Sequence, residues 1–300
     1  MPSRKTLLRM TLPLVLALTL AACTVAPDAG PPPDAPAVPP AADYEATLTR
    51  IVQAVVTPGG LVDYVRLSAE FQAEFDSVLA AVEQFDPARL SSDAEKLAFF
   101  MNAYNVRMLK NILDAPGLNN IETEGRFDDF FSTLFRVAGF NMTLNQLENG
   151  ILRLKDTVDG QFLPPGLVAV RPSELDPRIH MGLNCAAVSC PKLRQEAFRV
   201  AIVSSQLDAA LSDFADSPKL ASVNGAEVTI SSLVNWFGED FDSTGVPVGD
   251  YFLAVMSPSR PGFGTIESIF EGRDAQGIRD VVDSEPTFQF AYDWTVNRAN

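Results

Sequence analysis

One histidine and two cysteines fall within eleven residues of each other, as His180-x4-Cys185-x4-Cys190, in a chain with a single His and three Cys in all. A thiolate beside an imidazole is the minimum equipment for nucleophilic acyl transfer, with sulfur attacking a carbonyl and the ring moving the proton. Ser189-Cys190-Pro191 precedes a mixed polar and apolar run, Lys192 to Phe198, which predicts a helix with Pro191 in its first turn. Cys190 would then sit at a helix N-terminus, where free N–H groups and the axial dipole favour thiolate over thiol. This assigns Cys190 as nucleophile and His180 as base. Three other readings stay open: a Cys185–Cys190 disulfide in an exported protein, small apolar fillers beside a core histidine, or three zinc ligands with Glu148 as a distant fourth. The spacing fits no closed four-ligand metal site, so neither a metal nor a cofactor is expected.

The elements that must hold these residues read as follows. Tyr44, Leu48, Ile51, Val52 and Val55 fall at helical spacing, and Phe71, Phe75, Val78, Leu79 and Val82 repeat the pattern over 68–85. Ser92 with Glu95 spells a capping box ahead of the stripe Leu97, Phe100, Met101, Tyr104, Met108 and Ile112, which Pro116 and Gly117 end. That helix carries Asn102 and Asn105 inside or beside its apolar stripe; either could orient the imidazole or donate to an oxyanion, or pin a neighbouring loop. A hairpin is predicted over 134–142, a helix capped by Thr143 and Gln146 through Leu154, and a buried strand over 179–185 that turns Cys185 toward the core. A helix over 200–215, a hairpin around Asn224-Gly225 and strand alternation from Phe288 to Trp294 follow. Helices dominate the first half and strands come later without regular alternation, so the fold class is α+β, a helical N-terminal half packed on a small mixed or antiparallel sheet.

Arg4, Lys5 and Arg9 precede an apolar stretch, 10–22, too short to span a bilayer, and Leu20-Ala21-Ala22-Cys23 resembles a lipobox. The expected organisation is a lipoprotein signal over 1–22, an acylated Cys23 opening a Pro- and Ala-rich tether over 23–42, and one globular domain over 43–300. Attachment to a membrane through Cys23 places the protein in the cell envelope, with Thr24 favouring the outer membrane in a Gram-negative source. A formal net charge of -15 excludes a phosphate-backbone partner, so no nucleic acid is expected. The ligand is left as a small molecule, peptide or glycan.

Several spaced motifs then carry a resemblance. Met101-Asn102-Ala103-Tyr104-Asn105, Leu147-Glu148-Asn149-Gly150-Ile151-Leu152-Arg153, Asp176-Pro177-Arg178-Ile179-His180, Cys185 to Pro191, and Trp236-Phe237-Gly238-Glu239-Asp240-Phe241 together resemble the domain of unknown function 547 family. The resemblance covers about 90–255, with Tyr292-Asp293-Trp294 similar to that family's usual ending. It implies Asn102, Asn105, Glu148, His180, Cys185, Ser189 and Cys190 as displayed residues, with Cys185 and Ser189 secondary candidates, and it implies no reaction. Where members usually carry Glu-His, this chain has Glu148-Asn149, which leaves His180 as the sole imidazole. The resulting hypothesis is a thiol-dependent hydrolase or acyl transferase in which Glu148 or Asn102 orients His180 and Asn105 steadies the site. A non-enzymatic binding or scaffolding lipoprotein with a Cys185–Cys190 bridge is the rival.

Overall fold

The computed structural model describes residues 41–299; the expected signal segment, Cys23 and nearly all of the expected tether lie outside the described residues. Among those described, no helix is long and apolar enough to cross a membrane.

Helix α1 (Ala41–Val55) buries the five residues that marked its periodicity, Tyr44 to Val55. The single helix expected over 68–85 is two, α2 (Tyr64–Glu70) and α3 (Gln72–Glu83), because the chain leaves helical dihedrals at Phe71. The break re-aims α3 so that Phe75, Val78 and Val82 are buried. α4 (Asp93–Leu113) begins as its sequence predicts: the Glu95 N–H donates to Ser92 Oγ, and the Ser92 N–H donates back to Glu95 Oε2. Fourteen of its residues are buried, so it runs through the core rather than over it.

After α5 (Phe127–Phe131), the predicted hairpin forms from β1 (Phe135–Val137) and β2 (Phe140–Met142). Thr143 and Gln146 then exchange side-chain and backbone hydrogen bonds, both 3.0 Å, at the start of a helical segment, Gln146–Leu152. That segment is wound as a π-helix, a rare winding that recurs at functional sites. A two-residue hairpin, β3 (Thr157–Val158) with β4 (Gln161–Phe162), and the short α6 (Pro165–Val168) follow.

The expected strand over 179–185 is instead one helical turn, α7 (Ile179–Gly182). Asp176 starts it, its carboxylate accepting the Arg178 N–H and its carbonyl the Ile179 N–H. A short apolar run buried on every side reads equally as strand or helix, and here the Asp-Pro turn decided it. The helix expected after Pro191 is absent. Side chains serve that stretch's backbone instead: Asn102 pairs with Phe198, Thr49 takes the Ala197 N–H, and Gln206 takes the Arg199 N–H. Cys190 therefore has no helix dipole behind it.

α8 (Val203–Ala215) leads into β5 (Ala221–Asn224) and β6 (Glu227–Ser231), joined through Asn224-Gly225 as predicted. Helices α9 (Ser232–Asp242), α10 (Val248–Leu253), α11 (Phe263–Phe270) and α12 (Ala275–Ser284) precede β7 (Phe288–Ala291), which lies parallel to β6. The mixed three-stranded sheet and the helical first half make the fold α+β.

Buried side chains form two apolar clusters, one built on α1–α4 and the segments out to Leu207, the other on α8–α12 and the three-stranded sheet. The turn α7 lies at their junction, with Ile179 in the first and Met181 in the second. Past β7 the chain crosses from one to the other. Residues 292–298 pair with Asn120, Ala187 and Val62 in turn, forming a strap across both cores.

Candidate functional site

A cleft of about 410 Å³ opens where α7, the π-helical segment, α9 and the strap converge, and it brings Glu148, His180, Cys185 and Cys190 together. Rings form its walls: Phe127 and Phe131 from α5, Trp236 and Phe237 from α9, Tyr292 and Trp294 from the strap. Trp236 lies 4.9 Å from Tyr292 and 6.1 Å from Trp294 between ring centres, so the rings make one continuous aromatic wall.

His180 is buried, and its Nε2 lies 2.8 Å from Asp240 Oδ2. Arg153 reaches the same carboxylate from the π-helical segment, Nε to Oδ2 at 2.5 Å and Nη2 to Oδ1 at 3.1 Å. Burial pushes the Asp240 carboxyl upward, but the hydrogen bonds from His180 and Arg153 outweigh it and hold the pKa well below the usual carboxylate range. An ionised carboxylate only accepts, so Nε2 of His180 carries a proton. Phe237 packs under both partners, stacked 4.1 Å from the imidazole and 4.8 Å from the Arg153 guanidinium. Asn149 accepts from Arg153 Nη1 at 2.6 Å and so braces the same network.

Glu148 is half-buried on the cleft wall beside Tyr104. Burial, and then the Glu148 charge and hydrogen bond, raise the Tyr104 pKa well above that of a free phenol, so Tyr104 remains a donor. Among the described residues Glu148 forms no ion pair. Glu148 therefore faces Tyr104, and it is Asp240 that orients His180.

The two sulfurs are joined: Cys185 and Cys190 form a disulfide that lines the cleft. This corrects the assignment of Cys190 as a free nucleophile, because a bridged sulfur carries no thiolate to attack with. His180 shares the cleft with the bridge, yet its bonded nitrogen points to Asp240. With both sulfurs committed to each other, the zinc arrangement also fails, and no group of three or more His, Cys, Asp or Glu among the described residues is placed to hold a metal.

Asn102 lies away from the imidazole. Its amide binds both the carbonyl and the N–H of Phe198, each at 2.8 Å, as a neighbouring strand would. Asn105 steadies the site through backbone, donating to the Gly182 carbonyl at 2.9 Å and accepting the Asn184 N–H at 2.8 Å. Ser189 accepts the Asp293 N–H at 2.8 Å and fastens the strap rather than facing the cleft.

Asp240, Arg153, Tyr292 and Trp236 were not among the residues singled out in the sequence, although each lies inside a quoted motif. Asp240 carried a signal. Leu233, Phe237, Asp240 and Phe241 share one face of α9, and a carboxylate within an apolar stripe must have a buried partner.

No curated protein and no solved structure matches the chain. The matched family segment holds Asn102, Asn105, Glu148, Arg153, His180 and both bridged cysteines, while Asp240 and the aromatic strap lie beyond it. Residues 87–215, somewhat less than half of the chain, match the model of the family described as "Protein of unknown function, DUF547".

Proposed function

We propose that this is a lipid-anchored cell-envelope protein, tethered through an acylated Cys23, whose cleft binds a small organic cation with an apolar body. The observation that carries the binding reading is the pairing of a continuous aromatic wall with a carboxylate, Glu148, that no described cation neutralises. Ring faces attract cations through their quadrupoles, and burial of the ligand's carbon adds the apolar contribution. The Asp240 charge is met by Arg153 and Lys155 and by the His180 N–H, so Glu148 and, at the rim, Glu122 set the sign of the site. The volume suits a ligand of modest size. A thiol hydrolase or acyl transferase built on Cys190 and His180 would need the sulfur released first.

The chain has two tryptophans, Trp236 and Trp294, and both line this cleft, so tryptophan emission, excited at the red edge where tyrosine does not absorb, reports on the site alone. Titration with benzyltrimethylammonium is expected to quench that emission saturably, with benzyl alcohol weaker and benzoate without effect. Glu148→Gln is expected to weaken the cation by about tenfold, or about 1.4 kcal/mol. Equal responses to all three probes, or none, would refute the reading.

A further inference from the structure

The Cys185–Cys190 bridge is placed unlike a staple. The loop it closes is short, so cross-linking it restricts the unfolded chain little. The same loop is already clamped without covalent help. Asn184 Nδ2 donates to the Pro191 carbonyl at 2.8 Å, bracing the loop from just outside both cysteines. Asn184 Oδ1 accepts the Ala186 N–H, Asn105 accepts the Asn184 N–H, and the strap bonds Ala186 and Val188 through backbone. Opening the bridge would leave each of these contacts in place.

The sulfurs are also unequal. Cys190 is 2% exposed and its Sγ accepts two hydrogen bonds, from the Cys185 N–H at 2.8 Å and from the Tyr292 hydroxyl at 3.0 Å. Cys185 is 9% exposed and has the same hydroxyl 2.9 Å from its sulfur. Burial, and then the Glu148 charge, raise the Tyr292 pKa far above that of a free phenol, so the hydroxyl keeps its proton and stays a donor. Exchange is favoured when the leaving sulfur is stabilised as thiolate and the attacked sulfur can be reached.

We propose that the bridge is exchange-active, accepting two electrons from a dithiol that enters the aromatic cleft, with Cys185 the sulfur attacked and Cys190 the sulfur that leaves. A thiolate of the dithiol bonds to Cys185 Sγ as the bond between the two protein sulfurs breaks, and the electron pair remains on Cys190 Sγ. The Cys185 N–H and the Tyr292 hydroxyl hold that charge. The second thiol of the substrate, deprotonated, attacks its own mixed-disulfide sulfur and displaces Cys185. The substrate departs as a disulfide, and the two protons its thiols lost end on Cys185 and Cys190. A low-molecular-weight disulfide restores the bridge by the reverse exchange and is itself reduced to two thiols. The inference is independent of the cation-binding reading, which concerns the bridged protein.

The test uses the full-length folded protein without denaturant. Dithiothreitol is expected to open the bridge, read as a gain of two hydrogens in intact mass, with the melting transition still cooperative. Glutathione is expected to give a mixed disulfide that peptide mapping places on Cys185. Tyr292→Phe, which keeps the ring and loses the donor, is expected to slow opening about tenfold without altering the far-ultraviolet spectrum. A bridge that resists dithiothreitol until the protein unfolds, or an adduct on Cys190, would overturn the proposal. Should Tyr292→Phe misfold, the wild-type adduct position decides alone. Loss of cation quenching with normal exchange would sink only the binding reading, and the converse only this one.

Discussion

Asp240 organises the cleft from beneath, since one buried carboxylate binds both His180 and the Arg153 fork. Removing one member of such a group leaves the others buried and uncompensated, so Asp240→Asn is expected to cost about 3 kcal/mol. The pH dependence follows from the depressed carboxyl pKa. This group's contribution is complete above its unfolded value near 3.8 and is lost as pH falls through the lower folded value. Thermal melts from neutral to acid pH are expected to show the wild type losing stability below about pH 4, with the variant's profile flatter there. A variant with the same acid slope would show that Asp240 is not the sensing group. At this scale the sequence singles out His180, Glu148, Cys185 and Cys190, and all four line the one cleft. It could not reveal that the imidazole's partner lies sixty residues downstream, nor whether the sulfurs are joined. Type and spacing mark which atoms are reactive, while distance and oxidation state belong to the folded chain.

Among the elements, long amphipathic helices were legible and short irregular pieces were not. The stripes of α1 and α4, the Ser92–Glu95 box and the Asn224-Gly225 turn are local signals that tertiary contacts reinforced. The turn at α7 rests on a short Asp-Pro signal that an apolar run obscures, and the coil after Pro191 takes its backbone partners from distant side chains, Asn102, Thr49 and Gln206. The second cluster depends on one close approach that spacing could not show. A Cβ added at Gly249 of α10 would stand 1.9 Å from the Phe270 carbonyl oxygen and 2.9 Å from that of Arg273. Backbone cannot move aside as a side chain end can, so Gly249→Ala is expected to destabilise the fold by about 3 kcal/mol, measured by chemical denaturation. A loss below about 0.5 kcal/mol would mean that α10 and α11 slide freely.

For the molecule as a whole, the anchor and the cleft make separate demands. An acidic chain gains little from anionic lipid headgroups, which leaves the proposed acyl chains, at about 0.8 kcal/mol per buried methylene, to hold it at a bilayer. Expressed in a bacterial host, the protein is expected to incorporate labelled palmitate and to partition into the detergent phase, whereas Cys23→Ser should do neither and collect in the aqueous phase. Equal partitioning of the two would remove the anchor.

The strap sets an order of assembly. Ribosomes release residues 292–298 after everything they must bridge, and Tyr64 waits across 233 positions for the Asn297 oxygen its hydroxyl donates to. The parallel pairing of β7 with β6 is likewise long-range, the kind of closure that slows folding. A chain whose residues 292–298 have yet to dock thus holds its rings and sulfurs uncovered, which makes the docking of that strap the step at which chaperones have most to protect.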